Sequence, residues 1–543
     1  MGLINKCCLV FLLTVCACQT VSENIGSEVE IPNVPVLALK PSNPVAGITL
    51  INRGEGNRRI ENVSVVLEGS LNLSDVETVM LTCGEETLCT VPVSGKGRSA
   101  KVVLPASLTM ESDTLRLGIA LKLQDAVDLG NRISVRNICV KTDDGSVLSD
   151  AAQTLRTGVA LRQHMQDGIH TSRIPGLTAS KNGTLIAIYD GRRDSDSDLQ
   201  GDIDICYNRS TDGGRTWSPV GVAIDMGRYG GLPQKYNGVS DGCVLSDART
   251  GDLYIAGLWM HGILDPKNGR WVEGLTESST EWNHQWRSFG SQPGYDIKRS
   301  SQFMIVKSTD DGLTWSEPMN ITRQVKPESW WLMAPGPGAG ITLEDGTLVF
   351  PAEGRMENGL QISTIIYSRD GGQTWASGKP AYTNTNECMA VQLPDGSIML
   401  NMRERSNRGR TEGNGRAIAV TKDLGETWTE HPTSRNALIE PACQGSLLKH
   451  EYTTRSGEVR PLIFFFNPSS ISRRNNLTLK CSLDGAETWP EELWLQLDAG
   501  NGAGYSCMAS IDNETIGILY EGSGADMVFQ QVKISDVLPA EAL

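Results

Sequence analysis

Outside its repeats, the chain carries arginines and carboxylates beside short β-rich runs, where side chains from different strands can converge. Arg192 and Asp198 stand six residues apart in Tyr189-Asp-Gly-Arg-Arg-Asp-Ser-Asp-Ser-Asp198, at the end of the apolar run Leu185–Tyr189. Glu387, in Asn386-Glu387-Cys388, precedes Arg403 by 16 residues. The turn signal Leu393-Pro-Asp-Gly396 lies between them, so a strand–turn–strand returns both to the same end of one hairpin. Arg173, Asp241, Arg473-Arg474 and Glu521 are the other charged candidates, and Tyr505 sits in Gly502-Ala-Gly-Tyr505-Ser506. Arginine offers a planar fork that matches a carboxylate or phosphate. A positioned carboxylate can give or take a proton. Each residue also has a plainer reading. The acidic run through Asp194 and Asp196 could be a solvated loop, and a lone Tyr is ordinarily core or interface.

A repeat supplies the elements that would position these residues. Ser210-Thr-Asp-Gly-Gly-Arg-Thr-Trp217 returns as Ser308-Thr-Asp-Asp-Gly-Leu-Thr-Trp315 and Ser368-Arg-Asp-Gly-Gly-Gln-Thr-Trp375. Weaker copies are Thr421-Lys-Asp-Leu-Gly-Glu-Thr-Trp428 and Ser482-Leu-Asp-Gly-Ala-Glu-Thr-Trp489. In each, Asp can accept backbone N–H groups and Gly can take positive φ, which makes a turn. A short β-rich segment precedes every copy, so the box caps a strand and its Trp is an apolar plug. The box aspartates are therefore structural. Successive copies are 98, 60, 53 and 61 residues apart. Units of roughly 40–60 residues are the length of one four-stranded propeller blade. The expected fold is all-β, a six-bladed β-propeller over 155–543 preceded by a small β-sandwich over 25–150. Five boxes suit six blades, because the closing blade mixes strands from both ends of the domain. Asp143-Asp144-Gly145 and the polar stretch after it read as the boundary.

Composition narrows the function. A formal net charge of −15 argues against nucleic acid or an anionic membrane surface as the partner. Six histidines without metal-ligand spacing argue against a zinc mechanism. Lys6 and the apolar run Cys7–Val15 read as an export signal within 1–24, too short to span a membrane. Val15-Cys16-Ala17-Cys18 resembles a lipoprotein processing site with Cys18 as the lipidated residue; ordinary cleavage slightly later is the alternative. Either way the chain is expected to be exported: periplasmic, secreted or an outer-membrane lipoprotein. Nine of the 13 cysteines lie beyond the signal and none forms a CxxC. Cys83 and Cys89 could bridge a hairpin; buried thiols are the reading for the others.

Arg173-Ile174-Pro175 and the five boxes together resemble the sialidase (neuraminidase) family, over nearly all of 155–543. That resemblance implies an exo-α-sialidase. Arg173, Arg403 and Arg474 would be the triad that binds the substrate carboxylate, with Arg473 the alternative to Arg474. Asp198 would be the acid/base, with Asp196 and Asp202 as alternative registers. Arg192 and Asp241 would line the sugar pocket. Tyr505 would be the nucleophile, Glu387 its base, and Glu521 the carboxylate that orients Arg173. Gly242 stands where the family has Pro, and Ser172 where Phe or Tyr is commoner.

The implied substrate is a terminal sialic acid on a glycan, and its carboxylate sits on the anomeric carbon. It explains the Arg clamp. It also explains a neutral phenol as nucleophile, because a charged Asp or Glu would be repelled. No metal or organic cofactor is implied. Two other readings use the same residues: a glycan-binding propeller without turnover, and a trans-sialidase. The Trp-rich stretch Trp271–Trp286 with Trp330-Trp331 reads either as a wall for the leaving group or as blade core. The sandwich reads equally as carbohydrate-binding or as packing.

Overall fold

The computed structural model describes residues 21–93, 97–199, 201–261, 278 and 291–543. The export signal with Cys18, and most of the Trp271–Trp286 stretch, lie outside them.

The N-terminal part is two sheets face to face. One runs in the order Ile25–Glu30, Asn43–Asn52, Thr114–Leu123, Val76–Cys83, Glu86–Pro92. The other is built from Ser99–Met110, Arg58–Gly69, Arg132–Thr142 and Gly145–Arg162. Alternation decides the inner faces. Val63, Val65 and Leu67 meet Leu117, Ile119 and Leu121 in one buried cluster. Cys83 and Cys89 flank the expected hairpin but are out of register, Cys83 facing Glu86 and Cys89 facing Leu81. Both are free thiols, so the bridge is not made.

Among the described residues the strands that follow group into six four-stranded blades, the first two linked in one continuous sheet. Their innermost strands are Thr171–Ala179, Asn237–Ser246, Leu332–Pro335, Thr385–Gln392, Ser446–Thr453 and Ser506–Asp512. The sixth blade closes with a strand from the other end of the domain: Val159 and Ala160 pair with Phe529 and Val528. That strand, Gly145–Arg162, is the same one that pairs with Arg132–Thr142 of the sandwich. Asp143-Asp144-Gly145 is therefore the turn of a sandwich hairpin and not a linker. The change of domain falls inside one continuous strand, which composition could not signal.

Each box follows the third strand of blades one to five, and its hydrogen bonds repeat. In the third copy the Ser368 hydroxyl donates to Asp370 Oδ1 at 2.8 Å and accepts from Gly372 N at 2.9 Å. Asp370 also accepts from the Thr374 amide (2.9 Å) and hydroxyl (2.6 Å). The hydroxyl and amide donors hold the Asp310 and Asp370 carboxyls down at about 2. The Trp side chains lock neighbouring blades. Trp217 packs on Phe529 of blade six, Trp315 on Tyr207 of blade one, and Trp375 on Tyr254 of blade two. In the fifth copy Ala486 takes the position of a box glycine at φ 74°, a conformation an L side chain rarely holds.

Removing residues 21–162 deletes the fourth strand of blade six and bares Phe529. The shortened chain should give little soluble monomer; a melting temperature equal to that of the full chain would show that closure does not need this strand.

Candidate active site

The site is at the face where innermost strands begin and second strands end. Innermost strands of blades one, two and four each slip register there, between Arg173 and Gly176, Ser240 and Cys243, and Thr385 and Cys388. A bulge adds a residue and re-aims a side chain. Arg173, Asp241 and Glu387 all come from these bulges. Ile174 and Asp241 sit at φ 61° and 57°, strain that the rigid blades must hold. Second strands contribute Arg192 and Arg403 at their ends, and Glu521 follows Thr515–Tyr520. Glu387 and Arg403 do return to one end of a hairpin.

Arg173, Arg192, Asp198, Asp241, Glu387, Arg403, Arg474 and Tyr505 line one cavity of about 270 Å³. The alternatives lie elsewhere. Asp196 borders a neighbouring cleft, Asp202 faces Arg193, and Arg473 is not in the cavity wall.

At its base the Tyr505 hydroxyl donates to Glu387 Oε1. Arg403 Nη1 donates to Glu387 Oε2 at 2.6 Å and to Tyr505 Oη at 3.1 Å. The guanidinium carbons of Arg173 and Arg474 stand 5.6 and 5.3 Å from the Tyr505 ring centroid. Burial pushes the phenol well above its ordinary range and Glu387 adds to this; Arg403 and Arg474 pull the other way. The resting group is thus a neutral phenol. Arg474 Nη1 is steadied by the Ala503 carbonyl at 2.9 Å.

Glu521 is buried behind the cavity. Its Oε1 accepts from Arg173 Nε at 2.5 Å and from Ile174 N at 2.8 Å, and its Oε2 accepts from Tyr505 N at 3.0 Å. Burial pushes this carboxyl upward, but Arg173 and the amide donors outweigh it, so its pKa lies below the usual value.

On the opposite wall Asp198 is half exposed, and its Oδ1 is 3.2 Å from Arg192 Nη2. Arg192 also reaches Asp190 Oδ2 at 3.1 Å, which accepts from the Ser240 hydroxyl at 2.6 Å. Burial lifts Asp190 to about 6 against the pull of Arg192. Burial, with Asp198 next, also pushes the Asp241 carboxyl far up.

Sequence reasoning missed several wall residues, Glu353, Arg355, Gln361, Asn386, Arg405 and Arg408, and Asp190 behind Arg192. One signal was present. Asp190-Gly-Arg192 ends the second strand of blade one, and Glu353-Gly-Arg355 ends that of blade three. Leu199, Leu258, Leu332 and Ala334 give the cavity one apolar wall. Trp330 packs partly against the core of blade three and is not in the cavity lining.

Residues 174–496 match the BNR repeat-like domain family. The chain is 41% identical to a sialidase of Bacteroides fragilis, over 77% of this chain and 73% of that one. It is 30% identical to a sialidase of Clostridium perfringens, over 65% of this chain and 86% of the relative. Among solved structures, a Hadza microbial sialidase, Hz136, superposes with a TM-score of 0.81 at 34% identity, covering 94% of this chain and all of that one. The intramolecular trans-sialidase of Ruminococcus gnavus shares the fold, with a TM-score of 0.53 at 20% identity over 69% of this chain and 98% of its own.

Glu521→Gln leaves Arg173 without its buried counter-charge, a change that costs about 3–5 kcal/mol. Because the native carboxyl titrates below the unfolded value of about 4.3, its contribution is complete above that pH and fades as pH falls through the lower, native pKa. Urea denaturation should show the variant less stable at pH 7, with the gap to wild type narrowing below about pH 4. A gap that does not change with pH would remove the ionised Glu521–Arg173 pair as its cause.

Proposed function

The chain belongs to the sialidase family and is a glycoside hydrolase; from that premise we propose that it is a retaining exo-α-sialidase, releasing terminal α-linked sialic acids from glycoproteins, glycolipids or oligosaccharides. The observation that carries the mechanism is the Tyr505–Glu387 hydrogen bond, bridged by Arg403, inside a cavity walled by Arg173 and Arg474.

Arg173, Arg403 and Arg474 hold the substrate carboxylate by charge-assisted hydrogen bonds. This sets the anomeric carbon over Tyr505. A carboxylate nucleophile would meet the substrate's own negative charge at close range, whereas a phenol does not. The buried phenol is not a resident phenolate, so its proton passes to Glu387 as Oη bonds to the anomeric carbon. Arg403 touches both partners and stabilises the charge as it moves. Asp198, open to solvent, protonates the leaving oxygen. In the second half-reaction Asp198 takes a proton from water, the water oxygen replaces Tyr505 at the anomeric carbon, and Glu387 returns its proton to the phenol. Two displacements retain the configuration. Arg192 and Asp241 contact the sugar, and the apolar wall suits its acetamido methyl.

A binding-only propeller needs the clamp but not the acid, base and nucleophile, which favours turnover. A trans-sialidase would use the same residues and is distinguished by its products. We also propose that the chain is exported and attached through a lipid on Cys18. A Cys18→Ser form should then move from the detergent to the aqueous phase on partitioning; equal partitioning would leave simple cleavage of the signal as the explanation.

Wild type should release free sialic acid from a simple α-sialoside, and Tyr505→Phe should lower kcat by about a thousandfold or more while sialic acid still binds. Undiminished turnover in Tyr505→Phe would remove Tyr505 as nucleophile. Binding without any release by wild type would favour the lectin.

A further inference from the structure

The cavity holds more positive charge than a carboxylate clamp uses. Arg192 and Arg355 occupy matching places, at the ends of the second strands of blades one and three, each preceded by a carboxylate and a glycine. Their surroundings differ. Arg192 is engaged by Asp190, Asp198 and the Asp196 carbonyl. Arg355 is only 8% exposed and lines the cavity, yet its guanidinium makes no hydrogen bond or ion pair among the described residues. Arg405, two residues beyond Arg403 on the adjoining wall, is only partly buried, but it too lines the cavity and its guanidinium makes no hydrogen bond or ion pair among the described residues.

Among the described residues no carboxylate pairs directly with either guanidinium; Glu353 and Glu387 act on them only at longer range. Burial, and then Arg405, lowers the proton affinity of Arg355; burial, and then Arg403, lowers that of Arg405. The adjacent carboxyl is Glu353; burial, and then Glu387, lifts it to about 8, which weakens it as a counter-charge, and it makes no ion pair with either guanidinium among the described residues. Cations held this way are expensive unless an anion joins them. Gln361 lies in register opposite Arg355. Gln361 Oε1 and Asn386 Oδ1 are buried without donors, two acceptors ready for hydroxyl groups beside that anion.

We infer that Arg355 and Arg405 form a second anion subsite, which binds a negatively charged group of the sialoside other than the carboxylate on its anomeric carbon. The inference rests on the sialidase reading. The anion is either a sulfate ester on the exocyclic chain of the sialyl residue or the carboxylate of a second sialyl residue in the leaving group. Both need a guanidinium fork, and the apolar wall could supply neither.

The test compares three substrates of the full-length protein at low ionic strength: 3′-sialyllactose, the same trisaccharide sulfated on the exocyclic chain, and its α2,8-disialyl analogue. One anionic substrate should show a KM about tenfold below that of 3′-sialyllactose, and which one identifies the source. Arg355→Gln should abolish most of that ratio, and Arg355→Lys should keep part of it. If Arg355→Gln does not fold, wild type still decides: KM for the preferred substrate should rise more steeply with NaCl than KM for 3′-sialyllactose, because salt screens the extra pair. Equal KM values, parallel salt curves, or a ratio unchanged in both Arg355→Gln and Arg405→Gln would overturn the subsite while leaving the hydrolase standing. No release from any of the three would overturn the hydrolase reading, and the subsite with it.

Discussion

One buried carboxylate ties this molecule together. Glu521 belongs to blade six, and its oxygens accept from the Arg173 side chain and the Ile174 amide of blade one, and from the amide of Tyr505. The interaction joins the first and last blades where the ring closes. It also fixes the Arg173 side chain and the backbone of Tyr505 in one geometry. Its energy comes from charge in a dry place: burial disfavours the ionised carboxyl, and the donors around it more than reverse that. Remove the carboxylate and both ring closure and site geometry lose the same support.

The two ends of the propeller divide the work. At the site end, three innermost strands bulge, and Ile174 and Asp241 hold positive φ. Such strain persists only where the surroundings over-determine it. The opposite end supplies that rigidity. There each box closes its turn with the same hydroxyl, amide and carboxylate bonds, and its Trp packs across or beside a blade. The sandwich adds to this frame because its last strand is also the outer strand of blade six. It is joined to the catalytic ring by a shared strand and not by a tether.

Charge is distributed with equal economy. In a chain of net charge −15, the cavity gathers arginines from several blades, and each wall treats them differently. Arg173 and Arg403 are balanced by Glu521 and Glu387 yet keep donors for a ligand. Arg192 is held by Asp190, Asp198 and the Asp196 carbonyl and keeps one Nη1 donor. Arg355 and Arg405 are left to whatever enters. Among the described residues the cavity is therefore graded from paired to unpaired cations.

The sequence alone determined the repeat and most of what depends on it. Ser-x-Asp-x-Gly-x-Thr-Trp carries its own turn chemistry, so strand, turn and plug can be read locally, and five copies make a propeller. Glu387 and Arg403 could be paired because one hairpin with a visible turn returns them together. The rest depended on contacts far apart in the chain. Whether Asp196, Asp198 or Asp202 faces the cavity depends on how a loop folds back over Arg192, and composition cannot tell one aspartate from the next. Glu353, Arg355 and Arg405 were unremarkable as residues, because their meaning is the absence of partners, which exists only once every neighbour is in place. The domain boundary was hidden for a related reason: Gly145–Arg162 is one continuous strand, and what marks the change of domain is its pairing partners, from Arg132–Thr142 to Phe529 and Val528. Local chemistry is written in neighbouring residues; burial, charge balance and strand pairing are properties of the folded whole.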